Sequence, residues 1–306
     1  MIYRVRHTTR LFYSNLVRLA RFNLRLHPVE WPGQSLCDYR LDVSPKPARI
    51  RQTTGPWLVN ETHLAMREPL ARLDITSSFR VEVKPPRHDI ATLAGPSIAQ
   101  LRREALAFPS VSPVSPAPYM FASPIARIWP EEIGAWGRQW LHDEAPVVQA
   151  SLALMMAIHQ EFAFDATSTR PDLPPIDAFR ARRGVCQDFT HVMICAARAM
   201  GLPAAYVSGY LRTNPPPGMP RLIGADMMHA WVGIWCGAEL GWLGFDPTNA
   251  RLAATDHIVI AMGRDYGDVA PLDGVFHGGS GQTMTVSADV VPVEEEGEAE
   301  DISLTG

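Results

Sequence analysis

The sequence contains few cysteines, and their spacing suggests neither a disulfide framework nor a metal site. Four of the 306 residues are cysteine, at positions 37, 186, 195 and 236. Small disulfide-stapled domains carry cysteines far more densely. No CxxC pair is present, and Cys186 and Cys195 would lie on opposite faces of one helix, so they cannot contribute to the same ligand cluster. We therefore expect reduced thiols, no structural metal ion and no cofactor.

Strong charge and long apolar runs are also missing. The 28 basic residues nearly balance the 32 acidic ones, giving a net charge of -4, and no basic cluster is longer than Arg182-Arg183. Nucleic-acid-binding proteins usually carry a basic patch, so we expect no such partner. The apolar runs are shorter than the roughly 20 residues that span a bilayer, and the opening MIYRVRHTTRLF lacks a signal-peptide core. The expectation is a cytoplasmic protein with no membrane partner.

The leading third of the chain has the pattern of short β-strands. Runs such as YRVRHTT, CDYRLDVSP and LDITSSFRVEV alternate between apolar and polar residues and are separated by clusters of proline and glycine. Segments with helical periodicity follow a stretch rich in proline and serine. These patterns predict a β-rich domain over 1–105, an extended connection over 106–125, a core over 126–293 and an acidic tail over 294–306.

The segment from Arg182 to Tyr210 places a cysteine at the start of an amphipathic helix. Cys186 follows a Gly184-Val185 step, and a helix over about 187–200 is predicted to end before Gly201. The first amide N–H groups of such a helix have no partner within it, so its dipole favours a thiolate at this point. The thiolate is the nucleophilic form of cysteine. One apolar stripe would bury this helix, formed by Phe189, Val192, Met193, Ala196 and Met200.

A second segment, DMMHAWVGIWCGAELGWLGFDPTN, provides a base and a group that orients it. Its two alternating runs predict a β-hairpin. If Trp235 pairs with Leu240 across a four-residue loop, His229 lies opposite Asp246 with their Cβ atoms about 5 Å apart. A register two residues away makes the pair diagonal neighbours, still within reach, whereas a slip of one residue turns them to opposite faces. Asp246 would then fix one nitrogen of His229 while the other faces Cys186.

The motifs GVCQDF, HAW and GWLGFDPTN occur in the order that characterises a known family. With Cys186, His229 and Asp246 carried on them, the chain resembles the bacterial transglutaminase-like branch of the papain-like cysteine enzymes. The resemblance spans about Tyr3 to Pro292. It includes FAFDATSTRPDLPPIDAFRARR, HIVIAMGRDYGDVAPLDGVFHGG and GPWLVNETHL, the last of which is similar to part of the family's β-rich leading domain.

The resemblance implies an α+β fold, in which an N-terminal antiparallel β domain precedes a papain-like or transglutaminase-like core. In that core the catalytic Cys186 begins a helix packed against an antiparallel sheet that bears His229 and Asp246. The sequence departs from the family at Phe164, where phenylalanine provides no tyrosine hydroxyl.

The function implied is acyl transfer on a peptide or protein amide through a thioester on Cys186. Water as the second substrate would make the protein a peptidase or amidase, and an amine such as lysine would make it a transglutaminase. The sequence leaves both open, together with the second oxyanion donor and the oligomeric state. No DxDxDG-type loop is present, so we expect activity that is independent of calcium.

Two other functions compete with this one. Taken singly, a cysteine at a helix start, a histidine at a strand start and an aspartate before Pro-Thr-Asn each have an ordinary structural explanation. The chain would then be a catalytically silent binding or scaffold protein with the same fold. Arylamine acyl transfer from coenzyme A also uses Cys, His and Asp, but its accompanying motifs are missing. The combination of Cys186, His229 and Asp246 favours catalysis on amides.

Overall fold

The computed structural model describes residues 1–86, 93–126, 131–167, 173–213, 227–278 and 281–293. Two antiparallel sheets and a group of helices form the α+β architecture predicted from the sequence. The predicted acidic tail over 294–306 lies outside the described residues. The prolines of the segment over 212–226 exclude regular structure and predict a loop at the rim of the active site, and most of this segment also lies outside the described residues.

The first sheet is built on one very long strand. Its central strand β1 pairs with four others, and the strand order is β2-β5-β1-β4-β3, with β13 and β14 also pairing with β1. The strands are β1 (Ile2–His27), β2 (Gln34–Ser44), β3 (Arg49–Thr54), β4 (Asn60–Met66), β5 (Leu70–Val83), β13 (Leu272–Gly278) and β14 (Gln282–Val293).

The second sheet has five strands in the order β11-β10-β9-β8-β12, and the helices pack beside it. Its strands are β8 (Ala204–Leu211), β9 (Met228–Trp235), β10 (Trp242–Asp246), β11 (Arg251–Leu252) and β12 (His257–Gly263). The helices are α1 (Ile98–Leu106), α2 (Glu131–Gly137), α3 (Val147–Glu161), α4 (Pro175–Ala181), α5 (Cys186–Ala199) and α6 (Tyr266–Val269); a short parallel pair joins β6 (Ala163–Phe164) to β7 (Arg183–Gly184).

Strand β1 follows the period of two expected from its sequence, with one change of phase. In its first half the odd positions from Tyr3 to Tyr13 are buried, whereas Ala20 and Phe22, at even positions, are buried in the second half. The pairing with β13 is irregular between Val17 and Leu19, where the phase changes. An irregularity of this kind shifts which residues face inward, and it lets Tyr13 and Phe22 pack into the same apolar cluster.

The end of the chain returns to the first sheet. The segment predicted as a core over 126–293 contributes its last two strands, β13 and β14, to the sheet of the leading region, where both pair with β1. Their side chains alternate in the manner of strands, but which sheet they join depends on pairing between residues more than 250 positions apart along the chain, as Ile2 with Val293. A local pattern carries no information on such pairing.

Helix α5 lies in the middle of the core rather than on its surface. The predicted apolar residues Phe189, Val192, Met193 and Ala196 are buried, and Met200 is half-buried. The rest of the helix between Asp188 and Arg198 is buried too. Strands β8 and β9 contact it, and so do helices α2, α3 and α4, so all of its faces are covered. Within the described residues no helix is long and apolar enough to cross a membrane.

Candidate active site

The chain is fixed on both sides just before Cys186. Strand β7 pairs in parallel with β6, and the Asp165 N–H donates to the Gly184 carbonyl at 2.9 Å. Gly184 is buried, and a Cβ added to it would lie 2.5 Å from Asp188 Oδ2. Glycine is therefore needed here because of a close approach, and the step before Cys186 is held in place rather than flexible.

The side chain of Arg182 also holds the backbone segment that precedes Cys186. It has a left-handed backbone, with φ of 49°, at the end of helix α4. Its guanidinium lies 4.1 Å from the ring centre of Phe179 and 4.7 Å from that of Phe162, and it forms an ion pair with Glu161. Stacking of a cation on aromatic faces stabilises such an arrangement. The turn between α4 and the cysteine is thus tied to helix α3.

Cys186 is the first residue of helix α5 and is half-buried. As the first helical residue it has no carbonyl within the helix to which its N–H can donate. The Asp188 carboxylate accepts from the Val185 N–H at 2.8 Å, which stabilises the start of the helix. The sulfur therefore lies at the N-terminus of a helix, as predicted, and hydrogen bonds fix the geometry of that N-terminus.

The hairpin exists, but the predicted pairing of its strands is wrong by two residues. Trp235 pairs with Trp242 instead of Leu240, so His229 and Asp246 are diagonal neighbours rather than directly opposite. The reason is the connection over 236–241, which is two residues longer than expected. Gly237 and Gly241 both adopt positive φ angles there, and the Gly241 N–H donates to the Gly237 carbonyl. Because the shift is even, both side chains remain on the same face.

His229 and Asp246 are joined directly. His229 Nε2 lies 2.8 Å from Asp246 Oδ2, and the side chains are 10% and 0% exposed. This contact uses Nε2 and leaves Nδ1 as the other nitrogen of the ring, and the Cys186 side chain contributes to the pKa of His229. Burial lowers the pKa of His229, but the hydrogen bonds with Asp246 and Cys186 outweigh it and raise the pKa to about 10. The arrangement therefore stabilises the imidazolium form of His229.

The Asp246 carboxylate accepts five hydrogen bonds. Oδ1 accepts from the backbone N–H groups of Thr248 and Asn249, and Oδ2 accepts from Asn249 Nδ2, His229 Nε2 and His257 Nε2. Burial raises the pKa of Asp246, but hydrogen bonds from His229, His257 and Asn249 hold it well below its usual range. Asp246 is therefore both a former of the turn at DPTN and the charged partner of His229.

The ring of Trp231 packs against both histidines. It is 1% exposed, stacks on His229 with ring centres 6.1 Å apart, and meets His257 edge-on at 5.1 Å. A Cβ on Gly209 would lie 2.6 Å from this indole, and one on Gly244 would lie 3.0 Å from its nitrogen. Two glycines on the neighbouring strands thus leave room for the tryptophan that supports His229.

Sequence reasoning did not find two of the Asp246 partners, Asn249 and His257. Asn249 belongs to the turn-forming sequence DPTN, so its closeness to Asp246 could have been predicted. The position of His257 depends on the path of the chain between β11 and β12, which the local sequence does not indicate. His191, to which the sequence assigned no role, is buried, and its Nε2 accepts from the Tyr266 N–H at 3.3 Å. Its ring packs on Tyr206, and burial lowers its pKa to about 4, so it is a neutral core residue.

One group of side chains has atoms as close together as a metal site requires. Among the described residues, the ligand atoms of His229, Asp246 and His257 lie within 4.8 Å of one another. The two histidine-to-carboxylate separations, 2.8 Å and 3.2 Å, are those of direct hydrogen bonds. These contacts are explained by protons on the two rings, and metal independence stays a prediction.

The comparisons with known proteins identify the family of the chain. Residues 135–247 match the family model of the transglutaminase-like superfamily, and residues 3–82 match that of the bacterial transglutaminase-like N-terminal region. An uncharacterized protein of Mycobacterium tuberculosis is 36% identical over 95% of this chain and 93% of its own length. The chain belongs to the transglutaminase-like superfamily.

Other members of the superfamily share parts of the chain or its fold. A protein-glutamine gamma-glutamyltransferase of Pseudomonas aeruginosa is 33% identical over 132 residues, which are 42% of this chain and 19% of that protein. The crystal structure of a Cytophaga hutchinsonii protein, described as a candidate cysteine protease, superimposes with a TM-score of 0.71 at 19% identity. It covers 96% of this chain and 92% of its own, so the shared fold includes both sheets.

Proposed function

We propose that this protein transfers the acyl group of a peptide or protein amide through a thioester on Cys186. The observation that carries the proposal is the His229 ring, which is hydrogen-bonded to a fully buried carboxylate and whose pKa is also raised by Cys186 at the start of helix α5. A nucleophile, a base and an orienting carboxylate in this order are the parts that thiol-based acyl transfer requires.

In the first half-reaction the Cys186 thiolate attacks the amide carbonyl carbon. The new C–S bond forms as the C–N bond breaks, and the departing nitrogen takes the proton from His229 Nδ1. The free N–H of Cys186 at the helix start supports the negative charge on the carbonyl oxygen. Asp246 holds the ring in the orientation that aims Nδ1 at the sulfur and stabilises its imidazolium form.

In the second half-reaction water or an amine attacks the thioester carbon. The attacking group gives its proton to His229, the C–S bond breaks, and the thiolate is restored. Hydrolysis would make the protein a peptidase or amidase, and attack by a primary amine would make it a transglutaminase. The Pseudomonas aeruginosa relative, a protein-glutamine gamma-glutamyltransferase, supports glutamine side chains as the first substrates to test.

The test uses a blocked glutamine dipeptide with and without a primary amine. We expect release of ammonia in both cases, with incorporation of the amine in the second if transfer competes with water. A set of unmodified peptides examined by mass spectrometry tests cleavage of backbone amides in parallel. Cys186→Ala should abolish every product. Products that persist in Cys186→Ala, or an acyl-enzyme that maps to another residue, would contradict the proposal.

A further inference from the structure

His257 is a second histidine that contacts the Asp246 carboxylate. Its Nε2 lies 3.2 Å from Asp246 Oδ2, the same oxygen that binds His229, and its side chain is 2% exposed. The Ala254 N–H points at His257 Nδ1 from 3.4 Å, so Nδ1 is the acceptor and Nε2 carries the proton. Two imidazoles therefore donate to one buried oxygen.

The charge state of His257 differs from that of His229. Burial lowers the pKa of His257, and the charges of His229 and Arg251 lower it further, although Asp246 acts in the opposite direction. His257 is therefore a neutral donor at neutral pH, whereas His229 is the partner that carries the charge. A neutral donor fixes the position of Oδ2 without neutralising the carboxylate that His229 needs.

The strand that begins with His257 has its outer edge covered by the leading sheet. The side-chain amide of Gln34 donates to the Val259 carbonyl and accepts from the Val259 N–H, each at 2.8 Å. Backbone hydrogen bonds add to this: Val29 donates to the Ile260 carbonyl at 3.2 Å, and Met262 donates to the Leu58 carbonyl at 2.9 Å. The edge of β12 is thus paired along its length by residues of the leading region.

Two further contacts hold the beginning of β12. The Tyr3 hydroxyl donates to Asp256 Oδ1 at 3.1 Å, one residue before His257. Ile258 and Ile260 pack into one apolar cluster with Tyr3, Val5 and other residues of the first sheet. The leading sheet therefore contacts β12 through hydrogen bonds and through its core.

We infer that His257 is a positioning residue for Asp246, and that the leading β-rich region serves the active site by holding the strand that presents His257. The inference rests on the proposed function, since it assigns a role in the same site. Without the donor at His257, the carboxylate would lose one of the bonds that fix Oδ2, and His229 would be aimed less sharply at Cys186.

The test compares two substitutions of the same residue. Glutamine can place an N–H near the position of Nε2, whereas leucine fills similar space without a donor. We expect His257→Leu to slow the alkylation of Cys186 by iodoacetamide at neutral pH by about tenfold, the effect of one hydrogen bond to a charged group. His257→Gln should stay close to the wild-type rate. Equal slowing of both variants, or no slowing of His257→Leu, would overturn the role of the donor.

The role of the leading region is tested at Gln34. Gln34→Leu removes both bonds to Val259, and we expect it to slow alkylation of Cys186 in the same direction as His257→Leu. Asn23→Ala is the matched control, because it removes side-chain hydrogen bonds to Asp273 and His63 inside the same sheet and no side-chain hydrogen bond to β12. Equal rates for Gln34→Leu and wild type, or equal slowing in Asn23→Ala, would contradict the inference.

A measurement on the unmodified protein keeps the inference testable if a variant fails to fold. In protein with isotope-labelled histidine, NMR spectra report which ring nitrogen of His257 carries the proton. We expect the proton to be on Nε2 of His257 and to be protected from exchange with solvent. A proton on Nδ1 would overturn the inference, whatever the activity measurements show. If Cys186 of the wild type is no more reactive than Cys37, the proposed function fails instead. A reactive Cys186 that is insensitive to His257→Leu removes only the positioning role.

Discussion

His229 and Asp246 meet diagonally across the β9–β10 hairpin, with Nε2 and Oδ2 2.8 Å apart. The contact depends on the length of the connection over 236–241, because a change of one residue in the pairing would turn the two side chains to opposite faces. The Asp246 carboxylate is fully buried, whereas Cys186 is half-buried.

Removing the charge of Asp246 while keeping its shape tests what the carboxylate does. We expect Asp246→Asn to slow alkylation of Cys186 at neutral pH on the order of a hundredfold or more, because the imidazolium loses its buried counter-ion. The rate should then rise through alkaline pH as for an ordinary thiol. Mass spectrometry of the alkylated protein measures it. Asp74→Asn, in the ion pair with Arg72, is the control, and a similar rate for both variants would exclude this role for Asp246.

The raised pKa of His229 makes a prediction about stability. The pKa moves from 6.5 to about 10 on folding, so the folded protein holds this proton more tightly than the unfolded chain. Its contribution is fully present below pH 6.5 and is lost as the pH rises through about 10. The excess in free energy of unfolding of wild type over His229→Gln should therefore shrink across this window. Urea unfolding at several pH values measures it; a constant or growing excess would contradict the assigned charge state.

Gly184 is predicted to tolerate no side chain. In Gly184→Ala the new Cβ would lie 2.5 Å from Asp188 Oδ2 and 2.7 Å from Asp188 Cβ, so the carboxylate that caps helix α5 must move. We expect a loss of about 1–3 kcal/mol in free energy of unfolding, together with slower alkylation of Cys186. Gly134 lies near the other end of the helix, and a Cβ added there would be 3.1 Å from the Ala199 Cβ. We expect Gly134→Ala to lower the free energy of unfolding by less than Gly184→Ala does. Equal losses in free energy of unfolding for the two variants would mean that the short distance to Asp188 does not explain the need for glycine at position 184.

Metal removal should leave the protein active. The close approach of His229, Asp246 and His257 is accounted for by hydrogen bonds, and no calcium-type loop occurs in the sequence. We expect glutamine-peptide turnover and Cys186 alkylation to be unchanged after treatment with a chelator. A preparation that a chelator inactivates and calcium restores would show that this expectation is wrong.

The sequence predicted those parts of the site that lie within short segments. Cys186 was placed at a helix start by local periodicity, and the hairpin brought His229 and Asp246 to one face even though its loop was misjudged by two residues. Positive φ angles at Gly237 and Gly241 decide the length of that loop, and glycine alone does not reveal which turn it forms.

Contacts between residues far apart in the sequence could not be predicted from local patterns. His257 begins an ordinary alternating strand, and nothing in that alternation indicates that its ring reaches Asp246. The pairing of Gln34 with Val259 joins residues 225 positions apart. The leading region forms the antiparallel β-sheet expected from the fold class, but its contacts with β12, β13 and β14 arise only from tertiary packing.

The most direct test of the central claim is the relative reactivity of the four cysteines toward limiting iodoacetamide near neutral pH. Cys195 and Cys236 are buried, which raises the pKa of each thiol, so the informative comparison is between Cys186 and the more exposed Cys37. We predict that Cys186 is labelled first, and that His229→Ala slows it to the rate of Cys37 or below. Faster labelling of Cys37, or a Cys186 rate that does not depend on His229, would contradict an assembled thiolate and imidazolium pair.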